Sequence, residues 1–299
     1  MAGAEVADRT NMDVPARSTA AHRDRLLRSA SSLPPFSPIL NRLLASLAKE
    51  NVQFAEISQL VEKDTVLAGN LLRMVNSALY GMAGTVNSIQ HALSIVGLEK
   101  VRNFVLTFSF VRLWRRDGVV PGWSPSRFNL HSTATAILSD LFVQNVRADY
   151  PEGAFTAGLF HDFGKLLVAT SLPLEFSALR VRVEREDEDL EDCERELIGI
   201  THSELAAAAL EGWNLPAGIV RAVRLHHSPE PGQGPVAPLS RIVHAADQCV
   251  NRLGITVLAC HPESGKSPEE VFEAAGIAGR SARLLEEFNG ELDAVRPFF

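Results

Sequence analysis

The 299-residue sequence predicts an all-α fold, and three observations carry that expectation. Apolar residues recur three and four positions apart nearly throughout, the spacing that lines one face of an α-helix. Helix starts carry capping chemistry: Asp64 before one apolar run, the Thr201/Glu204 pair before another, and Pro216 and Pro238 suited to a first turn. Glycines at 97, 212 and 254 follow apolar runs and suit helix stops.

The elements follow in order. Residues 1–30 have little periodic apolar content and read as a disordered tail, its arginines a solvated linker. Order is expected from Leu33-Pro34-Pro35 onward. Ile39, Leu43, Leu44 and Leu47 mark a first helix; Ile57, Leu60 and Val61 a second; Val66, Leu67, Leu71, Leu72 and Val75 a third. Residues 88–96 form a fourth, stopped by Gly97, and 100–114 a long buried fifth. Pro121-Gly122-Trp123-Ser124-Pro125 is a break and the predicted boundary between an N-terminal lobe, 31–120, and a second lobe, 121–299, with a C-terminal helical extension. Further helices are expected to begin near Ser126, Gly153, Leu174, Thr201, Pro216 and Pro238. The acidic run Glu184–Glu196 reads as a solvated helix face.

Composition narrows the function classes. Hydrophobic residues at 46% and charged ones at 22% suit a packed soluble domain. A net charge of −7, from 29 basic and 36 acidic side chains, disfavours non-specific nucleic-acid binding. Cys193, Cys249 and Cys260 form no CxxC pair and are odd in number, which fits a reducing compartment. No apolar run of roughly 18 residues and no signal-type N-terminus occurs, so a cytoplasmic location without a membrane partner is expected.

The chemistry concentrates in the second lobe. Gly158-Leu159-Phe160-His161-Asp162-Phe163-Gly164-Lys165 sets an imidazole and a carboxylate into an apolar stretch read as helix. Burying them unpaired costs several kcal/mol, and a divalent metal would satisfy both. Lys165, four residues after His161, shares its helical face and could meet an anion. His131, His202, His226, His227 and Asp247 are the other candidates; Asp247 also lies within an apolar helix. Each alone is ordinarily a hydrogen-bonded core residue or an arginine partner, whereas the ordered set His131, His161-Asp162, Asp247 is far more specific. Mixed His/Asp donors suit iron, manganese or zinc better than calcium.

The order H…HD…D resembles the HD superfamily of metal-dependent phosphohydrolases, whose ligands map onto His131, His161, Asp162 and Asp247. His202, His226 and His227 fall where two-metal relatives carry second-site ligands. The first lobe is similar to HDOD domains through Asn70–Tyr80, Ser88–Leu93 and Gly97; so are Glu196…Gly199…His202, Trp213-Asn214-Leu215-Pro216 and His226-His227-Ser228-Pro229. The resemblance covers roughly residues 33–253. It implies an all-α bacterial signal-transduction module, one that binds a protein partner or a nucleotide second messenger and retains a metal. Its alternative is an active metal-dependent phosphohydrolase in which Asp162 and Lys165 do the chemistry. Asp64-Thr65 stands where the family often has Asp-Pro, and the stretch after His227 lacks the tyrosine of the HD-GYP enzymes, so their cyclic di-GMP substrate is not transferred.

Two look-alikes fail. Cys260–Ser267 matches a P-loop except that its first glycine is Cys260, and too few residues follow for a nucleotide-binding sheet. Phe54–Tyr80 has helix-turn-helix spacing, but Arg73 stands nearly alone among Glu50, Glu56, Glu62 and Asp64.

Overall fold

The computed structural model describes residues 16–34, 40–42, 54–80, 85–113, 120–186, 188–232, 235–258, 267–277 and 279–298. Most of the helix predicted over 39–47, and most of the P-loop look-alike, lie outside those residues. Among the described residues there is no β-strand, only one isolated parallel bridge between Ala148 and Ala237. The fold is all-α, as the periodicity predicts.

The first helix corrects the sequence reading. Ala16–Ser31 (α1) is helical, so residues 16–30 are not a tail. Leu26 and Ala30, four apart, are buried at 0% and 4% exposure, and Ser29 hydrogen-bonds Ser171. This stripe is too short to show above the arginines around it. Packing against a neighbouring surface, rather than local propensity, holds such a helix.

Phe54–Glu62 (α2), Thr65–Val75 (α3) and Ile89–Leu113 (α4) follow. Asp64 caps α3 by accepting from the backbone N–H groups of Val66 and Leu67. The expected stop at Gly97 is a break inside α4, with φ 83° and ψ 163°, a backbone shape natural to glycine.

Pro125–Val143 (α5) starts where predicted, with Ser124 as its N-cap. Ala154–Phe160 (α6), Phe163–Ser171 (α7), Pro173–Glu186 (α8) and Leu190–Leu197 (α9) follow. His202–Gly212 (α10) begins with the full Thr201/Glu204 capping box. It runs through Gly212, and the left-handed residue is Asn214 (φ 57°), so the stop lies two residues later than predicted. Ala217–Arg224 (α11), Leu239–Arg252 (α12), Pro268–Ala274 (α13) and Ser281–Val295 (α14) complete the chain.

One apolar core runs continuously from α1 to α14. Phe110 of α4 meets Phe128, Phe160 and Phe163, with ring centroids 5.0–6.2 Å apart. Beyond α14, Phe298 packs against Phe104 and Phe108 of α4, under the Arg73 guanidinium at 4.5 Å. No helix among the described residues is long and apolar enough to cross a membrane.

Candidate metal centre

His131 projects from the middle of α5 and Asp247 from α12. His161 and Asp162 do not lie within one helix, as the sequence suggested, but in the turn between α6 and α7. The change of direction lets two adjacent side chains aim at one point. His202 opens α10, and His226 and His227 lie in the turn just past α11. His161, Asp162, His202 and His226 are 0% exposed, His131 1% and Asp247 7%.

Two glycines permit this convergence. A Cβ on Gly158 would lie 2.8 Å from Ala136 Cα and from the Thr135 carbonyl, so its absence lets α6 approach α5. A Cβ on Gly164 would lie 2.0 Å from the His202 carbonyl oxygen, which brings α7 against the start of α10.

The predicted residues come together in two groups sharing Asp162. His131, His161 and Asp162 form one; Asp162, His202, His226 and His227 form the other; within each, candidate ligand atoms lie within 4.8 Å of one another. Asp247 Oδ1 completes the first group, 3.1 Å from His131 Nε2 and 3.4 Å from His161 Nε2. Asp162 Oδ2 is 3.3 Å from His131 Nε2, whereas Oδ1 is 3.5, 3.4 and 3.8 Å from Nε2 of His161, His202 and His226.

The outer ring of contacts fixes which nitrogen faces inward. His131 Nδ1 meets the Ile255 carbonyl, His161 Nδ1 the Gly158 carbonyl and His226 Nδ1 the Val223 carbonyl, each at 2.7 Å. His202 Nδ1 meets Glu194 Oε2 at 2.8 Å. Carbonyl and carboxylate oxygens only accept, so each Nδ1 carries the proton and donates it. In the neutral ring, Nε2 is then a bare lone pair turned toward the centre. His131 Nε2 and His161 Nε2 lie 3.2 Å apart, beside carboxylate oxygens. Lone pairs facing one another and two carboxylates require a cation, either a proton or a metal ion. Asp162 Oδ1 and His226 Nε2 are buried with no hydrogen-bond partner. The donor set therefore fits one or two divalent ions, with outer partners of the kind that orient metal-bound histidines.

The electrostatics point the same way. Burial disfavours the charged His131, but hydrogen bonds to Asp162 and Asp247 outweigh it and push its pKa up to about 9. His202 also rises to about 9, burial being overcome chiefly by the Glu194 carboxylate. Burial and then the adjacent His227 hold His226 well below the usual imidazole range, while burial and His202 take His227 down to about 3. Asp162 would be raised by burial, yet His161, Lys165, His131 and His202 hold it well below the usual carboxylate range. Asp247 is held down likewise, against burial, by His131 and His161.

Lys165 also lies at the centre. Its Nζ donates to Asp162 Oδ2 at 2.7 Å. Sequence reasoning missed Glu194, assigned to a solvated acidic face. It is 2% exposed and fixes His202. The available signal was its spacing, eight residues before His202 with Gly199 between.

The family model for the HDOD domain matches residues 33–229, and the chain belongs to that family. An uncharacterized protein of Treponema pallidum (strain Nichols) is 24% identical over 205 residues, 66% of this chain and 38% of that protein. This chain thus spans well under half of that relative. A candidate phosphohydrolase from Shewanella amazonensis SB2B superimposes with a TM-score of 0.72 at 22% identity, covering 93% of this chain and 98% of its own. A candidate signal transduction protein from Marinobacter aquaeolei VT8 gives 0.70 at 22% identity, covering 94% of this chain and 66% of that one. At these identities the likeness concerns the fold.

Proposed function

We propose that this chain is a bacterial signal-transduction module of the HDOD family that retains a buried two-metal centre and acts by binding a nucleotide or a protein partner. His131, His161, Asp162 and Asp247 would hold one ion; Asp162, His202, His226 and His227 the other. The observation that carries regulation over catalysis is the Lys165–Asp162 contact at 2.7 Å. The cation that would stabilise a phosphoryl oxygen and a carboxylate that would orient water neutralise each other. Family membership supports the same reading.

The alternative, a metal-dependent phosphohydrolase, draws on the two donor groups that share Asp162. Bound ions of this kind supply an activated water and neutralise charge on a phosphoester. Elemental analysis of the purified chain, with a phosphoester panel assayed in manganese, iron or zinc, separates the readings. Regulation predicts bound metal, lost in Asp162→Ala, and no turnover of cyclic dinucleotides, nucleoside triphosphates or guanosine polyphosphates. Turnover of any of them, abolished by Asp162→Ala, overturns it in favour of hydrolysis.

A further inference from the structure

A second site lies behind the metal centre. An open cleft of about 600 Å³ forms where α12, α13, the loop after α5 and the segment after His227 meet. From α12 it takes Arg241, His244, Ala245 and Gln248. That spacing of three, four and seven residues defines one helix face. Arg147 enters from the loop after α5, and Val146, Val236 and Val271 are among the apolar walls.

The lining contains no aspartate or glutamate, in a chain with 36 of them and a net charge of −7. The Arg147 guanidinium has no hydrogen-bond or ion-pair partner among the described residues. Among the described residues Arg241 has only the Ala274 carbonyl, at 3.3 Å. Two guanidinium groups without carboxylates suit phosphate, which arginine grips with paired N–H donors. Phosphate alone would leave the apolar walls and the Gln248 amide unused; a base and sugar would cover them. The volume lies within the roughly 300–1,000 Å³ of ordinary small-molecule sites.

The cleft is also built to hold its shape. Ala237 N–H donates to the Arg147 carbonyl at 2.8 Å, and Asp149 N–H to the Ala237 carbonyl at 3.1 Å. Asp149 Oδ1 accepts from Leu239 N–H at 2.8 Å, tying the start of α12 to the same loop. His244, on the cleft wall, donates from Nδ1 to the His226 carbonyl at 2.6 Å. Asp247, next to Gln248, reaches the metal centre from the same helix.

We infer that the cleft formed by Arg147, Arg241, His244 and Gln248 binds a phosphate-bearing nucleotide. This deepens the regulatory reading by giving the ligand a class and a site, while the binding itself does not depend on metal in the centre.

The test is calorimetric titration of the full chain with GMP, GTP, cyclic di-GMP and inorganic pyrophosphate, repeated on Arg147→Gln, Arg241→Gln and the double variant. Both arginines are exposed, so the variants should melt with the wild type. At least one nucleotide is expected to bind, each single substitution to weaken it about tenfold, and pyrophosphate to bind about tenfold more weakly than that nucleotide. Absence of binding by every nucleotide at about 1 mM, the range of weak affinities, overturns the proposal. So does binding unchanged in the double variant, which would put the ligand in the metal centre. Pyrophosphate binding as tightly as the nucleotide overturns the nucleotide assignment. Metal content, which tests the regulatory reading, is measured separately, so the two can fail independently.

Discussion

One oxygen of Glu194, Oε2, accepts from both the ring Nδ1 and the backbone N–H of His202, each at 2.8 Å. The carboxylate thus sets the tautomer of His202 and its ring direction, and also satisfies an N–H in the first turn of α10. Replacing Glu194 by alanine strands a buried imidazole and an unpaired N–H. Glu194→Ala is expected to destabilise the protein by about 3–5 kcal/mol and to lower metal affinity by roughly 10–100-fold. Glu194→Gln keeps an acceptor and should recover much of the stability. Urea denaturation and metal titration of both variants check this; an alanine variant as stable as wild type would remove Glu194 from the centre.

The centre should make stability depend on pH in a metal-sensitive way. His131 and His202 sit at about 9 without metal, against an ordinary 6.5. A raised imidazole pKa contributes stability fully present below about pH 6.5 and lost as pH rises through about 9. Asp162 and Asp247, held below 3.8, contribute stability that is present above that pH and lost as pH falls beneath it. From the two raised imidazoles chelated protein is expected to lose on the order of 5 kcal/mol between about pH 6.5 and 9, while His226 and His227, held below 6.5, cost stability as pH falls beneath that value. Metal bound at these rings would replace the Nε2 protons, so loading should flatten the alkaline side and release protons. Denaturation midpoints from pH 5 to 9, with and without chelator, decide it; identical profiles would count against ion binding at these rings.

The convergence was legible because each of His131, His161, Asp162, His202, His226 and Asp247 is an ionisable side chain in apolar surroundings, where burial demands a partner. Glu194 was hidden because it sits among residues of its own kind. In Glu184–Glu196 a buried acid and a solvated one look alike until the break between α8 and α9 is known. The turn at His161-Asp162 was hidden for the opposite reason: Phe160, Phe163 and Leu166 continue the helical apolar spacing straight across it. Lys165 was placed on the His161 face by ideal helical geometry, and that turn sends it to Asp162 instead. Helix α1 went unseen because packing on a distant partner, not its own composition, orders it.

The tight approach at Gly164 gives a structural prediction at a residue that cannot itself bind metal. Any Cβ there meets the His202 backbone at 2.0 Å, and no side-chain rotation relieves that contact. Gly164→Ala must push α7 from the start of α10 and separate Asp162 from His202. It is expected to cost about 3 kcal/mol or more and to reduce metal content. Gly212→Ala is the control: a Cβ there meets nothing within 4 Å, and the residue is helical. Thermal melts of the pair should differ clearly; equal melts would mean the backbone has room to yield.

Asp140 offers a stabilising change remote from the centre, at the seam of α4, α5 and α14. It is 3% exposed, with Lys100 Nζ 4.0 Å away and Gln144 donating to it at 3.2 Å. Lys100 pairs more closely with Glu291. Burial, then the Glu99 charge, outweigh Lys100 and push the Asp140 pKa up to about 6 from 3.8. The native state therefore holds a proton that the unfolded chain has released between about pH 4 and 6, and stability falls as pH rises through that window. Above it, the charged carboxylate costs up to about 3 kcal/mol. Asp140→Asn keeps the shape and removes the charge. The variant is expected to be about 1–3 kcal/mol more stable than wild type at pH 8, the advantage fading as pH approaches 4. Paired denaturation curves at pH 8 and pH 4.5 read this directly. A variant no more stable at pH 8 would mean that Lys100 already offsets the charge.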